Sequence, residues 1–476
     1  MKTLQTKLSA LSEDRFLRND EKYQEMVVAG SGNLFSTATK DNVPLSDVLQ
    51  EDYSDFPFED GIVYKGIPTG QAYIDEDGDI VDFQPVTIDN HPGRLKYAVK
   101  NDSILISSLR LAKSPALMFD VFDLSEYVFS NGFYIFKVKE GWNNRFVLHL
   151  LRSKRIKTLL DNNLYRGIGI SSYRVDDLLK CEVKWLSIDT QNDAVQRIEP
   201  LEKEIRALKQ TAKKPQGIID SVFERYFGFD YLRFNDLRKI KSYTCGLSIF
   251  SNNPDLRFST KFHRESGSYV MGQLMEITEK KIKHFISEPI VLGASVSPGD
   301  YSDDGEYYYI SMATIKGWQF NSEGANTVSK SYSDSKTEKT VRKNDIILAR
   351  SGEGTIGKLA LIDDESTQGV FADFTMRIRL KDYLPEFAYY YFRTSYFQYL
   401  IEIYKKGLGN NTNIFPVVIQ EFPMIDIPLD EQQRIVDEIH SDIEKQDDIK
   451  VKIAKLRAKI DTIIEETIAG GERQDG

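Results

Sequence analysis

The stretch Arg350 to Lys358, RSGEGTIGK, has the residue types best suited to meet a phosphate: a cation at each end and three glycines between them. Gly352, Gly354 and Gly357 satisfy G-x-G-x-x-G, and Gly352, Gly357 and Lys358 have the spacing of a P-loop. Nucleotide chemistry fails at the next residue. A P-loop needs Ser or Thr there to hold Mg²⁺, and this chain has Leu359. Both motifs also need a following helix whose N-terminus receives the phosphates. Instead LALIDDE reads as a short apolar strand ending in an acidic turn. The stretch is therefore read as a glycine-rich turn between strands, with Arg350, Ser351 and Lys358 displayed. Such a turn can lay backbone amides and cations against a phosphodiester, or be only a solvated hairpin.

Three further loops have comparable chemistry. SSLRLAK, with Ser107, Ser108, Arg110 and Lys113, falls at the equivalent place in the first half of the chain, without glycines. YRGIGISSYR, Tyr165 to Arg174, carries Arg166, Ser172 and Arg174; YKKGLGNNTNIF, Tyr404 to Phe415, carries Lys405, Lys406, Asn410 and Asn411. Cations, two glycines and then Ser or Asn are residue types that contact phosphates and base edges. Ordinary turn chemistry also uses Gly and Asn, but the pattern recurs at matching places in both halves. No G-x-S-x-G elbow, N-P-P-aromatic motif or His cluster suggests a catalytic centre or a metal site.

The elements that must position these loops are duplicated. FVLHLLRSKRIKTLL from Phe146 aligns with FAYYYFRTSYFQYLI from Phe387, pairing Arg152 with Arg393 and Ser153 with Thr394. VKNDSILI from Val99 aligns with RKNDIILA from Arg342, SNGFYIFKV around Phe133 with FADFTMRIRL around Phe374, and LRNDEKY from Leu17 with LRFSTKF from Leu256. Arg166-Gly167 aligns with Lys406-Gly407. The shared order implies a duplicated unit with small loop insertions. Strands are expected at Gly61–Tyr64, Ser103–Ser107, Phe133–Val138, Tyr307–Met312, Asp345–Ala349, Lys358–Ile362 and Thr375–Leu380. One internal helix is expected per half, at 146–160 and 386–401, and Asn321–Lys339 reads as an exposed loop or hairpin.

Each half ends in a long amphipathic helix. Gln191 to Phe227 carries a heptad-spaced seam including Ile198, Leu201, Ile205 and Leu208, and Pro428 to Ile468 carries Ile439, Ile443, Ile453, Leu456 and Ile460. Charged and amide residues fill the other faces, so each helix needs a partner. The repeat names them as partners of each other. Pro215 is expected to break or kink the first.

Length and composition bound the rest. A chain of 476 residues exceeds one typical core, and 41% hydrophobic with 28% charged residues suits a soluble protein. Apolar runs are too short for a membrane span and the N-terminus lacks a secretory signal, so a cytoplasmic location is expected. A net charge of −10 argues against indiscriminate nucleic-acid binding. A local basic face is compatible with it.

Two strand-rich units, each followed by a long helix, with IPLDEQQRIVDEI opening the second, resemble the specificity subunit of a type I restriction-modification system. The resemblance spans nearly the whole chain. It rests most on Ile427–Ile439, on KNDIILARSGEGTIGK and on the two F-x-x-x-x-x-R-[ST] helices. It implies an α+β chain with target recognition domains at 1–190 and 229–427, separated by spacer helices at 191–228 and 428–468 that pair as an antiparallel coiled coil, and a disordered tail at 469–476. It further implies a non-catalytic reader of a split DNA sequence. Partners would be double-stranded DNA, DNA methyltransferase subunits, two in number, and restriction motor-nuclease subunits. S-adenosylmethionine, ATP and Mg²⁺ would sit on those partners and no cofactor on this chain. Alternatives are the recognition subunit of a related bifunctional enzyme, or a coiled-coil scaffold whose strand-rich domains bind proteins or glycans. Sequence-selective, salt-dependent DNA binding separates DNA reading from scaffolding.

Overall fold

The computed structural model describes residues 42–70, 72–109, 116–118, 123–160, 172–251, 257, 259–303, 305–352, 354–407 and 411–470. The chain divides into two compact units, residues 1–211 with 450–476, and residues 212–449.

In the first unit the chain runs β1 (Asn42–Pro44), α1 (Leu45–Val48), β2 (Leu49–Glu51), β3 (Ser54–Asp55), β4 (Tyr64–Ile67), β5 (Gln84–Val86) and β6 (Leu95–Ala98). It continues through β7 (Ile104–Ser107), β8 (Ala116–Met118), β9 (Tyr127–Ser130), β10 (Phe133–Val138), α2 (Asn144–Arg152), α3 (Lys154–Leu159), α4 (Val175–Leu179), β11 (Glu182–Lys184) and α5 (Ile188–Thr211). A four-stranded sheet has the order β2-β10-β7-β8 and a five-stranded sheet the order β3-β6-β9-β4-β5. Phe136, Ile104 and Ile106 of the smaller sheet pack with Phe146, Val147 and Leu150 of α2 and with Val195 and Ile198 of α5.

The second unit repeats this plan. Its elements are α6 (Pro215–Phe227), α7 (Tyr231–Lys239), α8 (Leu247–Ser251), α9 (Glu265–Ile277), β12 (Val291–Leu292), β13 (Tyr307–Ile310), β14 (Ile315–Lys316), β15 (Gln319–Phe320), β16 (Thr327–Val328) and α10 (Lys330–Ser335). They continue with β17 (Ile346–Ala349), β18 (Leu359–Leu361), β19 (Gly369–Phe371), β20 (Thr375–Ile378), α11 (Pro385–Arg393), α12 (Ser395–Tyr404), α13 (Pro416–Ile419) and α14 (Leu429–Gly470). The sheet β12-β20-β17-β18 corresponds strand by strand to β2-β10-β7-β8.

The correspondence extends to register. Phe133 faces Ser107 in β10·β7, and Thr375 faces Ala349 in β20·β17, each residue shifted by 242. The parallel pairing of Ile67 with Phe129 is repeated by Ile310 with Phe371. Tyr64 faces Val86 as Tyr307 faces Val328. A one-residue slip would turn every core side chain outward, so conserved pairing in both copies keeps the same faces buried.

Helix α14 contributes its residues up to 449 to the second unit and the remainder to the first. Within the second unit Lys213 N donates to Gln446 Oε1 at 2.7 Å and Tyr226 Oη to Glu438 Oε2 at 2.9 Å, so α6 runs antiparallel to this helix. Within the first unit Arg197 pairs with Glu466 at 2.8 Å, and Lys209 and Arg457 meet on Asp77, giving the same sense to α5. Ile198, Ile205, Ile439, Ile453 and Leu456 are buried, while Leu201, Leu208, Ile443 and Ile460 are half-buried.

Several expected elements differ in detail. The first spacer is two helices: α5 ends at Thr211, and Pro215 stands at the first position of α6, where its missing N–H costs nothing. Pro200 lies inside α5, where the sequence reading had no break. The strand expected at Gly61–Tyr64 starts only at Tyr64, because Gly61 sits in a turn at φ 75°. Asn321–Lys339 is not a bare loop; Ser329 caps α10, whose Tyr332 and Ser333 are buried. Each expected internal helix is a pair, α2 with α3 and α11 with α12. Positions 471–476 of the expected tail lie outside the described residues.

Candidate nucleic-acid interface

The turn after β17 has the form that its glycines require. Gly352, Gly354 and Gly357 adopt φ values of 86°, 80° and 85°, a region that side chains rarely tolerate. A Cβ on Gly357 would also come within 2.7 Å of Gln398 Oε1. Strand β18 follows at Leu359, so no helix N-terminus is available to receive a phosphate group.

This turn is joined to the loop after α12. Ser351 and Lys406 each bridge Asn413, Ser351 Oγ donates to Thr412 O at 3.2 Å, and Gly352 N donates to Thr412 O at 3.2 Å. The Arg350 guanidinium donates to Asn413 Oδ1 and to Asp373 O, both at 3.0 Å, and lies 5.6 Å from the Phe374 ring. Arg350 therefore fastens three segments as well as presenting charge. Lys358 is exposed at the end of the turn, and Lys406 and Asn411 are exposed on the neighbouring loop. Lys405 is mostly covered and pairs with Glu402 at 2.7 Å.

The first unit joins its two loops at the corresponding place. Leu109 bridges Ser172 as Ser351 bridges Asn413. Ser107 is buried, its hydroxyl engaged with the backbone of Leu109 and its carbonyl accepting from Tyr173 Oη at 3.0 Å. Ser108 Oγ donates to Gly132 O at 2.8 Å. Ser107 and Ser108 thus build the turn, whereas Ser172 and Arg174 are exposed. Arg110, Lys113, Arg166 and Asn410 lie outside the described residues.

Sequence reasoning missed a hairpin in each unit that the helices hold. In the first unit Ile74 bridges Ile80 and the tip between them is Asp75-Glu76-Asp77-Gly78-Asp79. Lys209 of α5 pairs with Asp75, Asp77 and Asp79, and Arg457 of α14 grips Asp77 through two bonds of 3.0 and 2.7 Å while reaching Glu76. Arg152 Nη2 donates to Asp77 O at 2.9 Å. Burial disfavours the Asp77 carboxylate, yet bonds from Arg457 and Lys209 outweigh it and lower its pKa. Burial likewise opposes the Lys209 ammonium, and its three carboxylates raise its pKa in spite of that. The second unit holds the β14–β15 hairpin with aromatic chemistry. Tyr389 Oη donates to Trp318 O at 2.7 Å and the Arg393 guanidinium stacks 5.4 Å from the Trp318 ring. The alternating carboxylates of 75–79 were a readable signal, but nothing local named their partners.

The arrangement displays cations, amides and an exposed aromatic at joined loops, features suited to binding a polyanion rather than to bond making. Among the described residues no group of three or more His, Cys, Asp or Glu could hold a metal ion, and no helix is long and apolar enough to cross a membrane.

Residues 289–456 match the family model described as type I restriction modification DNA specificity domain. That stretch of the chain is thus similar to a type I restriction-modification specificity domain. Solved structures share similarity at low identity. One is a chain from the structural description of complex assembly and conformational transition of the type I R-M system, at 16% identity, 90% of this chain, 97% of that chain and a TM-score of 0.47. Others are the HsdS subunit from Thermoanaerobacter tengcongensis, at 16%, 90%, 96% and 0.33, and the type I S subunit from M. genitalium, at 12%, 91%, 98% and 0.39. The comparison with curated proteins gives no match.

Proposed function

We propose that the chain reads a bipartite DNA target, one half with each unit, and brings to it DNA methyltransferase subunits, two in number, and restriction motor-nuclease subunits. The observation that carries this reading is the duplication of β-sheet register together with a joined loop pair in each unit. Two copies of one recognition surface on one chain suit two separated half-sites. The helix α14 and its partners α5 and α6 supply the spacer and the platform for the methyltransferase subunits. Catalysis belongs to the partners, which hold S-adenosylmethionine, ATP and Mg²⁺; this chain contributes sequence choice, and it works in the cytoplasm.

The test is to sequence methylated bases in host DNA with and without the gene. Loss of one split methylated motif is expected on deletion. An identical methylation pattern in both strains would sink the reading.

A further inference from the structure

In the second unit Phe374 lies in the turn between β19 and β20 and stands 47% exposed. A single exposed aromatic is common on protein surfaces and by itself requires no explanation. This one is held in place. Arg350 lies 5.6 Å from its ring and is in turn fixed by Asn413 Oδ1 and Asp373 O. Lys358 and Lys406 are exposed on the same joined loops.

The other unit shows that the turn does not need the ring. Arg350 N donates to Phe374 O at 3.0 Å, and at the corresponding place Ser108 N donates to Gly132 O at 3.0 Å. The backbone bond is the same and the side chain differs. A Cβ on Gly132 would approach the Thr69 side chain to 2.8 Å, so a side chain there would have to displace Thr69. The phenyl group is thus an addition to the second copy of a shared scaffold, projecting where that copy displays its cations.

We propose that Phe374 is a specificity-determining residue of the second unit, contacting a base edge in one half of the DNA target with its orientation set by Arg350. The inference rests on the reading of the chain as a bipartite DNA reader. A phenyl ring offers no hydrogen bond, and the base group that suits it in the major groove is the thymine methyl. Cations on the same loops favour a nucleic acid over an apolar protein surface as the partner of the exposed ring.

The test is selection from random-sequence DNA by the full chain assembled with its methyltransferase subunits. Wild type, Phe374→Ala and Phe374→Leu would be compared, with thermal melts to verify folding. Phe374→Ala is expected to lose base preference at one or two positions of one half-site and keep the other half intact, with affinity for the wild-type motif falling roughly tenfold. Phe374→Leu, which keeps apolar bulk, should retain part of that preference. Folded variants that enrich the wild-type motif with undiminished preference would overturn the inference, as would a uniform loss of affinity with all preferences kept. If the wild-type complex enriches no motif, the bipartite reading falls and this inference with it.

Discussion

Ser153 and Thr394 occupy equivalent places in the two units, each ending one helix and capping the next with its own hydroxyl. Their backbones agree closely, with φ and ψ of −57° and 153° at Ser153 and −55° and 148° at Thr394. Ser153 Oγ accepts from Ile156 N at 3.4 Å; Thr394 Oγ1 accepts from Phe397 N at 3.3 Å and donates to Tyr391 O at 2.7 Å. The preceding Arg152 and Arg393 both reach the hairpin of their unit. The break therefore turns each arginine toward that hairpin.

Loss of the Thr394 cap should destabilise the second unit. Thr394 is fully buried, and removing such a cap costs about 1–2 kcal/mol. Thr394→Ser should recover most of the loss that Thr394→Ala causes. Urea denaturation of the two variants checks this, and equal midpoints for Ala and wild type would refute it.

The acidic hairpin predicts a pH dependence. The Asp77 pKa is lowered below its ordinary 3.8 in the folded chain, so its contribution to stability is present above that value and lost as pH falls through the folded pKa. Lys209→Met removes the cation between three carboxylates and should cost about 2 kcal/mol at neutral pH, the groups being only partly buried. The deficit should shrink as pH falls from neutral to below the ordinary carboxylate range, through the lowered Asp77 pKa, and that carboxylate becomes neutral. Denaturation curves across that range decide it; a deficit independent of pH would show that Lys209 acts only through its methylenes.

Much of this organisation was legible in the sequence because it is local. The F-x-x-x-x-x-R-[ST] pattern carries a helix, an arginine and a cap within a few residues, and the glycines of 352–357 state their own backbone requirement. What escaped was set by distant partners. Lys209 lies 134 residues from Asp75, and Arg457 lies 380 from Asp77. Arg350 looked like displayed charge, and only its bond to Asn413, 63 residues on, shows that it also fastens loops. Ser107 had a suitable residue type for DNA contact, but its position at the end of a buried strand commits its hydroxyl to the turn.

The helix seam should respond unequally along its length. Ile439 is fully buried in the core of the second unit, whereas Ile460 is half-buried beside the first. An unpaired charge in a dry core costs several kcal/mol. Ile439→Asp should therefore abolish the folding transition of the second unit, while Ile460→Asp, free to turn its carboxylate to water, should cost about 1–2 kcal/mol. Calorimetry distinguishes them, and equal losses would mean that the seam is buried uniformly.

Charge removal at the joined loops should separate DNA contact from loop building. Lys358 and Lys406 are exposed, so Lys358→Gln and Lys406→Gln should leave the melting temperature unchanged. If each cation meets one phosphate, each change should lower the slope of log affinity against log salt by about 0.9 and weaken binding to all sequences alike. Arg350→Gln should behave differently, because it also unties Asn413 and Asp373. Its salt slope should fall and its base preference in one half-site should blur, since the loop carrying Phe374 loses its anchor. Affinities of the assembled complex measured at several salt concentrations test the whole set: unchanged slopes for both lysine variants would remove these loops from the phosphate contacts, and a purely uniform effect of Arg350→Gln would remove it from the positioning of Phe374.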